Sequence, residues 1–362
     1  MSDGQQILIR KVGQLLAGAI RLGASDIHFR CGQLPMARVN GELTALDQQV
    51  LDGQFLRLLA ERMTPARLRE MAEHSDQLDF SAEWPETSRF RVHLFKARGE
   101  PALVLRVIPL RIPDFSTLRL PAAIKRVPDL ISGLVLVTGA TGMGKSTTIA
   151  SLLDAISRHR KVHILTIEDP IEFIIGPGQS LVSQREVGKD VGDFVTGLWA
   201  GLREDPDIVF LGEIRDVETA RVVLQAAETG HLVVSTIHTG DAPSTIEHLV
   251  NLFPADEQQS ARLRLATVLE AIFCQRLLPM KGRHQRVLAS EVLLRSASVQ
   301  EWIRRPDKAR TLLERMTQSA AEGMQTLDMD LRRLYESGLV EMDVARMAAH
   351  SPSDFVRNLS VV

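Results

Sequence analysis

Gly139-Ala140-Thr141-Gly142-Met143-Gly144-Lys145-Ser146 matches the spacing G-x-x-x-x-G-K-S, and Thr147 carries the chain on into a helical pattern. Glycines let such a loop curl until its backbone N–H groups converge on a β-phosphate. Lys145 is then placed to bridge β- and γ-phosphate oxygens, and Ser146 to ligate Mg2+. The helix that begins there adds a favourable dipole for an anion. The context of the loop makes it decisive. The apolar run Leu134–Thr138 precedes it and the helical pattern Thr147–Ser157 follows it. Strand, glycine-rich loop and helix in that order predict an α/β domain that binds a nucleoside triphosphate.

Further along, His163–Ile167, Ile208–Gly212 and Leu232–Ile237 read as buried strands alternating with helices. That alternation predicts a mostly parallel sheet covered on both faces, with its site at the carboxyl ends of the strands. Two acids fall there: Glu168 after the first of these strands and Glu213 after the second. Glu213 either acts on Mg2+ through water or polarises the attacking water, and Glu168 either holds or deprotonates that water. The alternative for each is to cap the helix that follows. His231 and His238 bracket the third strand, about 23 Å apart if it is fully extended, so they share no metal ion. His238 lies at the phosphate end, whereas His231 at the far end suits a cap or a contact with a neighbour.

Before this domain the texture differs. Leu8, Val12, Leu15, Leu16, Ala19 and Leu22 recur at helical spacing up to Gly23. Ala37–Leu43 reads as a hairpin around Asn40-Gly41. Gln77–Glu83, Arg89–Lys96 and Ala102–Ile108 alternate as strands. Residues 1–108 are therefore expected to form an α+β domain with a small antiparallel sheet. Pro109, Pro113, Pro121 and Pro128 mark residues 109–128 as a stiff linker. The α/β core is expected over 129–280. A helical subdomain is expected over 281–362, with helices near Val299–Arg304, Ala309–Met316, Met324–Ser337 and Met342–His350.

Composition narrows the functions. At ~100–200 residues per domain, 362 residues make two domains or a little more. A net charge of −2, from 43 Lys+Arg against 45 Asp+Glu, and 4% aromatics leave little for coating or stacking on nucleic acid. Cys31 and Cys274 supply neither a four-cysteine zinc site nor a disulfide framework and fit a reducing cytoplasm. The polar start of the chain lacks the apolar core of a signal peptide, and no run of ~18 apolar residues is present to span a membrane.

Four boxes together are specific. Gly139–Thr148, Leu165–Phe173, Leu202–Asp216 and Ala226–Thr239 resemble the Walker A, Asp box, Walker B and His box of secretion and pilus ATPases. Ala24-Ser25-Asp26-Ile27-His28 and Glu322-Gly323-Met324-Gln325-Thr326 resemble the PilT/PilU branch, the twitching-motility retraction ATPases of type IV pili. The resemblance covers essentially the whole chain. It implies a PAS-like N-terminal domain, a RecA-like P-loop ATPase domain and a helical C-terminal extension. It also implies a homohexameric, Mg2+-dependent ATPase in the cytoplasm, held at the inner membrane by a pilus platform protein, with a second retraction ATPase as a candidate companion. ATP would sit between the two domains. The positions similar to the family's phosphate-sensing arginines are Arg91 and Arg106, with Arg89 a third candidate and Arg203 a further charged one. His238 would sense the γ-phosphate.

Three departures from the family pattern stand out. Trp199 stands where an arginine is usual. Ala140 and Met143 stand where Pro and Ser are common, with side chains expected to point away from phosphate. Ser298-Val299-Gln300-Glu301-Trp302-Ile303-Arg304 replaces the retraction motif, which favours a PilU-like or divergent member. The rival readings are a pilus assembly or type II secretion ATPase, a DNA translocase, and an accessory ATP-binding ring beside a partner motor. Two cysteines in all argue against the assembly branch, which usually carries two Cys-x-x-Cys pairs.

Overall fold

The computed structural model describes residues 3–39, 41–85, 87–108, 111–283, 285–305 and 311–359. Asn40 of the predicted turn, Pro109 of the predicted linker and Ala309 of a predicted helix lie outside them. The chain divides into two units, 1–111 and 112–362.

In the first unit, α1 (Asp3–Arg21) buries Leu8, Val12, Leu15, Leu16 and Ala19 along one face, as their spacing requires. It packs with α2 (Gly53–Met63), which is capped by Asp52 accepting from the Phe55 amide at 2.7 Å. The sheet beneath is antiparallel, in the order β3-β2-β1-β6-β5-β4. Its strands are β1 (Asp26–Phe29), β2 (Met36–Val39), β3 (Glu42–Ala45), β4 (Gln77–Trp84), β5 (Ser88–Ala97) and β6 (Glu100–Ile108), and α3 (Arg69–His74) precedes β4. Ile27, Phe29, Phe90, Val92, Leu103 and Leu105 face the helices in one core. Strand alternation sends Asp26, Arg91 and Arg106 to the other face. This is a PAS-like α+β unit.

The second unit is built on a seven-stranded sheet in the order β13-β12-β7-β11-β10-β8-β9. Its strands are β7 (Gly133–Thr138), β8 (His163–Glu168), β9 (Leu181–Glu186), β10 (Ile208–Leu211), β11 (Leu232–Ile237), β12 (Leu269–Pro279) and β13 (Arg286–Leu294). Only the β12–β13 pairing is antiparallel. Every residue of β7, β10 and β11 is buried, because helices cover both faces. Leu134, Leu136, Val209 and Leu211 point into a core with α6 (Val217–Glu228), α7 (Ala242–Asn251) and α8 (Gln258–Val268). Val135, Val137, Ile208 and Phe210 point into the opposite core with α4 (Lys145–His159). The architecture is that of a RecA-like P-loop domain.

Two stretches differ from the sequence expectation. Leu120, Ala123, Ile124 and Val127 are buried in the α4-side core, so most of the stretch 109–128 is part of the second unit. Its prolines shape short 3-10 turns rather than a spacer. Beyond 280 the chain first adds β13 to the sheet and only then becomes helical. The helices are α9 (Ala297–Arg304), α10 (Thr311–Gln318), α11 (Leu327–Glu336), α12 (Met342–Ala348) and α13 (Pro352–Leu359). The last three pack with Leu278, Val287 and Ala289, so the same compact unit runs to the end.

Glu291 on β13 ties these helices down. It is 0% exposed and accepts from the first amide of α7, Ala242, at 2.7 Å and from Leu327 at the start of α11 at 3.2 Å. The His350 ring donates to it at 3.0 Å. Two helix N-termini and the His350 ring thus compensate one buried carboxylate. That hydrogen bond raises the His350 pKa above its ordinary 6.5. The pair's contribution is therefore full below pH 6.5 and fades as pH rises through the higher native value. We expect Glu291→Ala to destabilise the second unit by about 3–5 kcal/mol, the cost of breaking a buried pair. Urea unfolding followed by tryptophan fluorescence measures it, and an unchanged midpoint would contradict this account.

Candidate active site

The glycine loop leaves β7 at Gly139, whose φ is +138°, and enters α4 through Gly144, whose φ is +85°. A Cβ on Gly139 would stand 2.5 Å from the Gln275 carbonyl oxygen of β12. Close backbone approach therefore requires glycine there. The Met143 side chain turns back toward β12, its Sδ accepting from the Leu277 amide at 3.2 Å, which leaves the concave side to backbone N–H groups. Ser146 and Thr147 occupy the first turn of α4.

Lys145 Nζ donates to the carbonyls of Gly139 at 2.7 Å and Ala140 at 3.1 Å, and lies 3.5 Å from His238 Nδ1. Burial lowers the pKa of this ammonium, while the charges of Glu213 and Glu172 oppose the shift. His238 Nε2 is 3.2 Å from Glu213 Oε2. An ammonium on one side and a carboxylate on the other assign the tautomer: Nδ1 accepts and Nε2–H donates. Glu213 also pairs with Arg215, which lies 3.9 Å from Asp169 and over the Phe194 ring. Lys145, His238, Glu213, Arg215 and Asp169 thus form one chain of polar contacts across the carboxyl ends of β7, β11, β10 and β8.

Glu168 ends β8 beside this chain. Its Oε1 accepts from the Thr166 hydroxyl at 2.7 Å and from Gln184 Nε2 at 3.0 Å. Burial pushes its pKa up to about 7, and those two hydrogen bonds restrain the rise. Neither Glu168 nor Glu213 caps a helix. That work falls to Asp193, Asp216 and Asp241, each accepting from an amide three residues on.

The first unit holds Arg89, Arg91 and Arg106 on the face of its sheet away from its core. Arg91 and Arg106 are direct cross-strand neighbours on β5 and β6, and Arg89 shares their face two residues away. Arg106 Nε donates to Asp26 Oδ1 at 3.0 Å, and Ser25 Oγ donates to the other oxygen at 2.8 Å. The Ser25-Asp26 motif is thus an arginine holder.

Two candidates fall elsewhere. His231 stands at the amino end of β11, where its Nδ1 hydrogen-bonds the Ala226 carbonyl at 2.9 Å and so closes the end of α6. Arg203 is exposed in the turn before β10, also at the amino edge, about the length of a strand from the phosphate loop. That turn is structural: Asp207 Oδ2 accepts from the His163 amide at 2.8 Å. The Glu322–Thr326 motif is structural too. Gln325 bridges to Val292 of β13 and Thr326 caps α11. Arg215, Glu172 and Gln184 are partners that the sequence reading did not single out. The first two sit inside boxes it quoted, whereas Gln184 meets Glu168 only through strand pairing.

Residues 1–348 match the family model described as Type II/IV secretion system protein. The chain is 40% identical over 344 residues to the type IV pilus retraction ATPase PilT of Pseudomonas aeruginosa, covering 95% of this chain and 99% of that one. It is 34% identical to the type IV pilus ATPase PilU of the same organism, covering 94% and 89%. The crystal structure of the pilus retraction motor PilT with bound ADP superposes with a TM-score of 0.89 at 40% identity, covering 96% of this chain and 99% of that one.

The glycines of the loop carry unequal constraints. Gly142 has φ +81° with open space around it, so Gly142→Ala should cost about 1 kcal/mol from backbone strain alone. Gly139→Ala adds the collision with Gln275 and should cost about 2–4 kcal/mol, summing strain and overpacking. Thermal melting of the two variants tests the order, and equal shifts would refute it.

Proposed function

Because the chain belongs to the type II/IV secretion system protein family, we propose that it is an ATP-hydrolysing motor that powers type IV pilus retraction, as PilT does. The observation that carries this reading is the joining of the phosphate loop to Glu213 through Lys145 and His238, beside Glu168, in a chain similar to PilT along nearly all its length. In the proposed mechanism the loop amides and Lys145 hold the β- and γ-phosphates. Glu168 takes a proton from the attacking water, which is held in line by hydrogen bonds at the strand ends. Glu213 orients that water, and Arg215 keeps its charge from repelling the phosphates. His238 senses the γ-phosphate through its contact with Lys145. Arg91 and Arg106, with Arg89 beside them, stabilise charge on the transferring group.

The donor set suits Mg2+, which keeps one or two protein ligands and takes the rest from phosphates and water. Among the described residues no cluster of three acidic, His or Cys side chains could hold a metal alone. Ser146 would ligate the ion directly and Glu213 through water, and the ion would neutralise the β–γ phosphate charge. The proposed assembly is a homohexamer at the cytoplasmic face of an inner-membrane platform protein. Among the described residues no helix is long and apolar enough to cross a membrane.

Lys145→Ala should lower turnover at least ~100-fold, as loss of a phosphate-stabilising donor does. Glu168 must be ionised to accept a proton, so kcat should rise with pH through about 7. Glu168→Gln should remove that limb and cost ~100-fold or more. Steady-state ATPase assays across pH test both, and wild-type turnover in either variant would sink the reading. Cells lacking the gene should be hyperpiliated and fail to twitch. Bald cells would mean an assembly motor, and retraction sustained by the Lys145→Ala protein would mean an accessory ring.

A further inference from the structure

Gln184 lies on β9, the edge strand of the seven-stranded sheet, opposite Thr166 of β8 in parallel register. Its carboxamide makes three hydrogen bonds. Nε2 donates to Glu168 Oε1 at 3.0 Å and to the Phe173 carbonyl at 2.9 Å. Oε1 accepts from the Ile175 amide at 2.8 Å. One side chain therefore grips the Glu168 carboxylate and the segment that leaves it. That segment is seated independently by the burial of Ile171, Phe173 and Ile175.

Thr166 and Gln184 both donate to Oε1, and the Glu172 backbone amide is a further donor to the carboxylate. Two donors on one oxygen set the carboxylate plane and turn the other oxygen away from both. The type of residue matters as much as its place. A lysine or arginine at 184 would form an ion pair and strip the carboxylate of basicity. A neutral amide holds the oxygen and adds no charge. The neighbouring cation is kept off by strand alternation: Arg185 points to the other face and pairs with Glu204 at 2.7 Å.

We propose that Gln184 is a positioning residue for ATP hydrolysis, fixing the orientation of the Glu168 carboxylate toward the attacking water while leaving it able to take a proton. This rests on the reading of Glu168 as the group that serves the water. Misplacing a reacting group by about 1 Å costs on the order of a hundredfold in rate. Binding of the nucleotide belongs to the phosphate loop and is untouched by this contact.

The test is a double-mutant cycle on the full-length protein. It joins Gln184→Met, which keeps the size and loses all three hydrogen bonds, with Glu168→Gln. Residual rates are read in single turnovers with enzyme in excess. Gln184→Met alone should lower kcat about ten- to a hundredfold and leave KM for ATP within about threefold. Added to Glu168→Gln it should change the remaining rate less than about twofold, because the group it acts through is gone. Gln184→Glu keeps the acceptor for the Ile175 amide and loses the donors, so it should be at least as slow as Gln184→Met. It also carries the test if the methionine variant fails to fold.

Wild-type kcat in Gln184→Glu would mean that the side chain only holds the loop, and would overturn the proposal. So would an unchanged kcat in Gln184→Met, a rise in KM that accounts for its loss, or equal losses with and without Glu168. Wild-type turnover in Glu168→Gln is a different failure: it removes the role of Glu168 itself.

Discussion

A strand buried on both faces can release its chain only at its ends, and β7 is buried at all six of its residues. At Thr138 the chain must leave the core at once and turn over the edge of the sheet. The turn is tight because β12 pairs with β7 as far as Thr138 and brings the Gln275 carbonyl against Gly139. β12 and β13 then shape the loop from behind, through the Leu277 amide on Met143 Sδ and Arg286 on the Gly142 carbonyl. The phosphate loop is local in sequence, yet its curvature is enforced by residues about 140 positions later.

The same edge sets the electrostatics. Parallel strands present their carboxyl ends together, about 4.8 Å apart, so the groups after β7, β11, β10 and β8 meet in strand order. Basic, imidazole and acidic groups follow one another along that line: Lys145, His238, Glu213, Arg215, Asp169. Each acid has a basic or imidazole neighbour, which is how several ionisable groups can share one cleft without unpaired charge. Glu168 is the exception. It has hydroxyl and amide donors in place of a cation, and burial therefore raises its pKa where pairing would lower it. A carboxylate so placed is suited to exchange protons near neutrality.

The legible parts of the chain were those in which one local pattern implies one physical solution. β7, β8, β10 and β11 could be read because burial on both faces demands short apolar runs. The glycine loop could be read because only glycines permit its dihedrals. β12 and β13 were not. Their residues are buried by partners distant in sequence, and Leu269–Pro279 has no alternation and follows α8 directly, with no turn signal before it. The 3-10 segments around Pro121 and Pro128 carry the composition of a linker and pack as core, a distinction made by Ala123, Ile124 and Val127 finding α4. Within the site, Lys145, Glu213, Glu168 and His238 stood out as strand-end groups. Gln184 did not, since a neutral amide in the middle of an edge strand carries no signal until its neighbour across the ladder is known.

The departures from the retraction-ATPase pattern can be placed by the same reasoning. α9 keeps a buried face of Val299, Trp302 and Ile303 and a Ser296 cap, so the altered motif still docks as a helix in the core. Its exposed side carries Glu301 and Arg304. Trp199 is 41% exposed on α5 (Phe194–Gly201), whose Leu198 is anchored in that core. Both changes therefore present new chemistry outward from helices whose seating is intact. Neither reaches the line from Lys145 to Asp169 or the grip on Glu168. The third departure lies in the loop itself, where Met143 turns back to the Leu277 amide and Ala140 keeps its carbonyl on Lys145, so the loop's contacts hold with both residues in place.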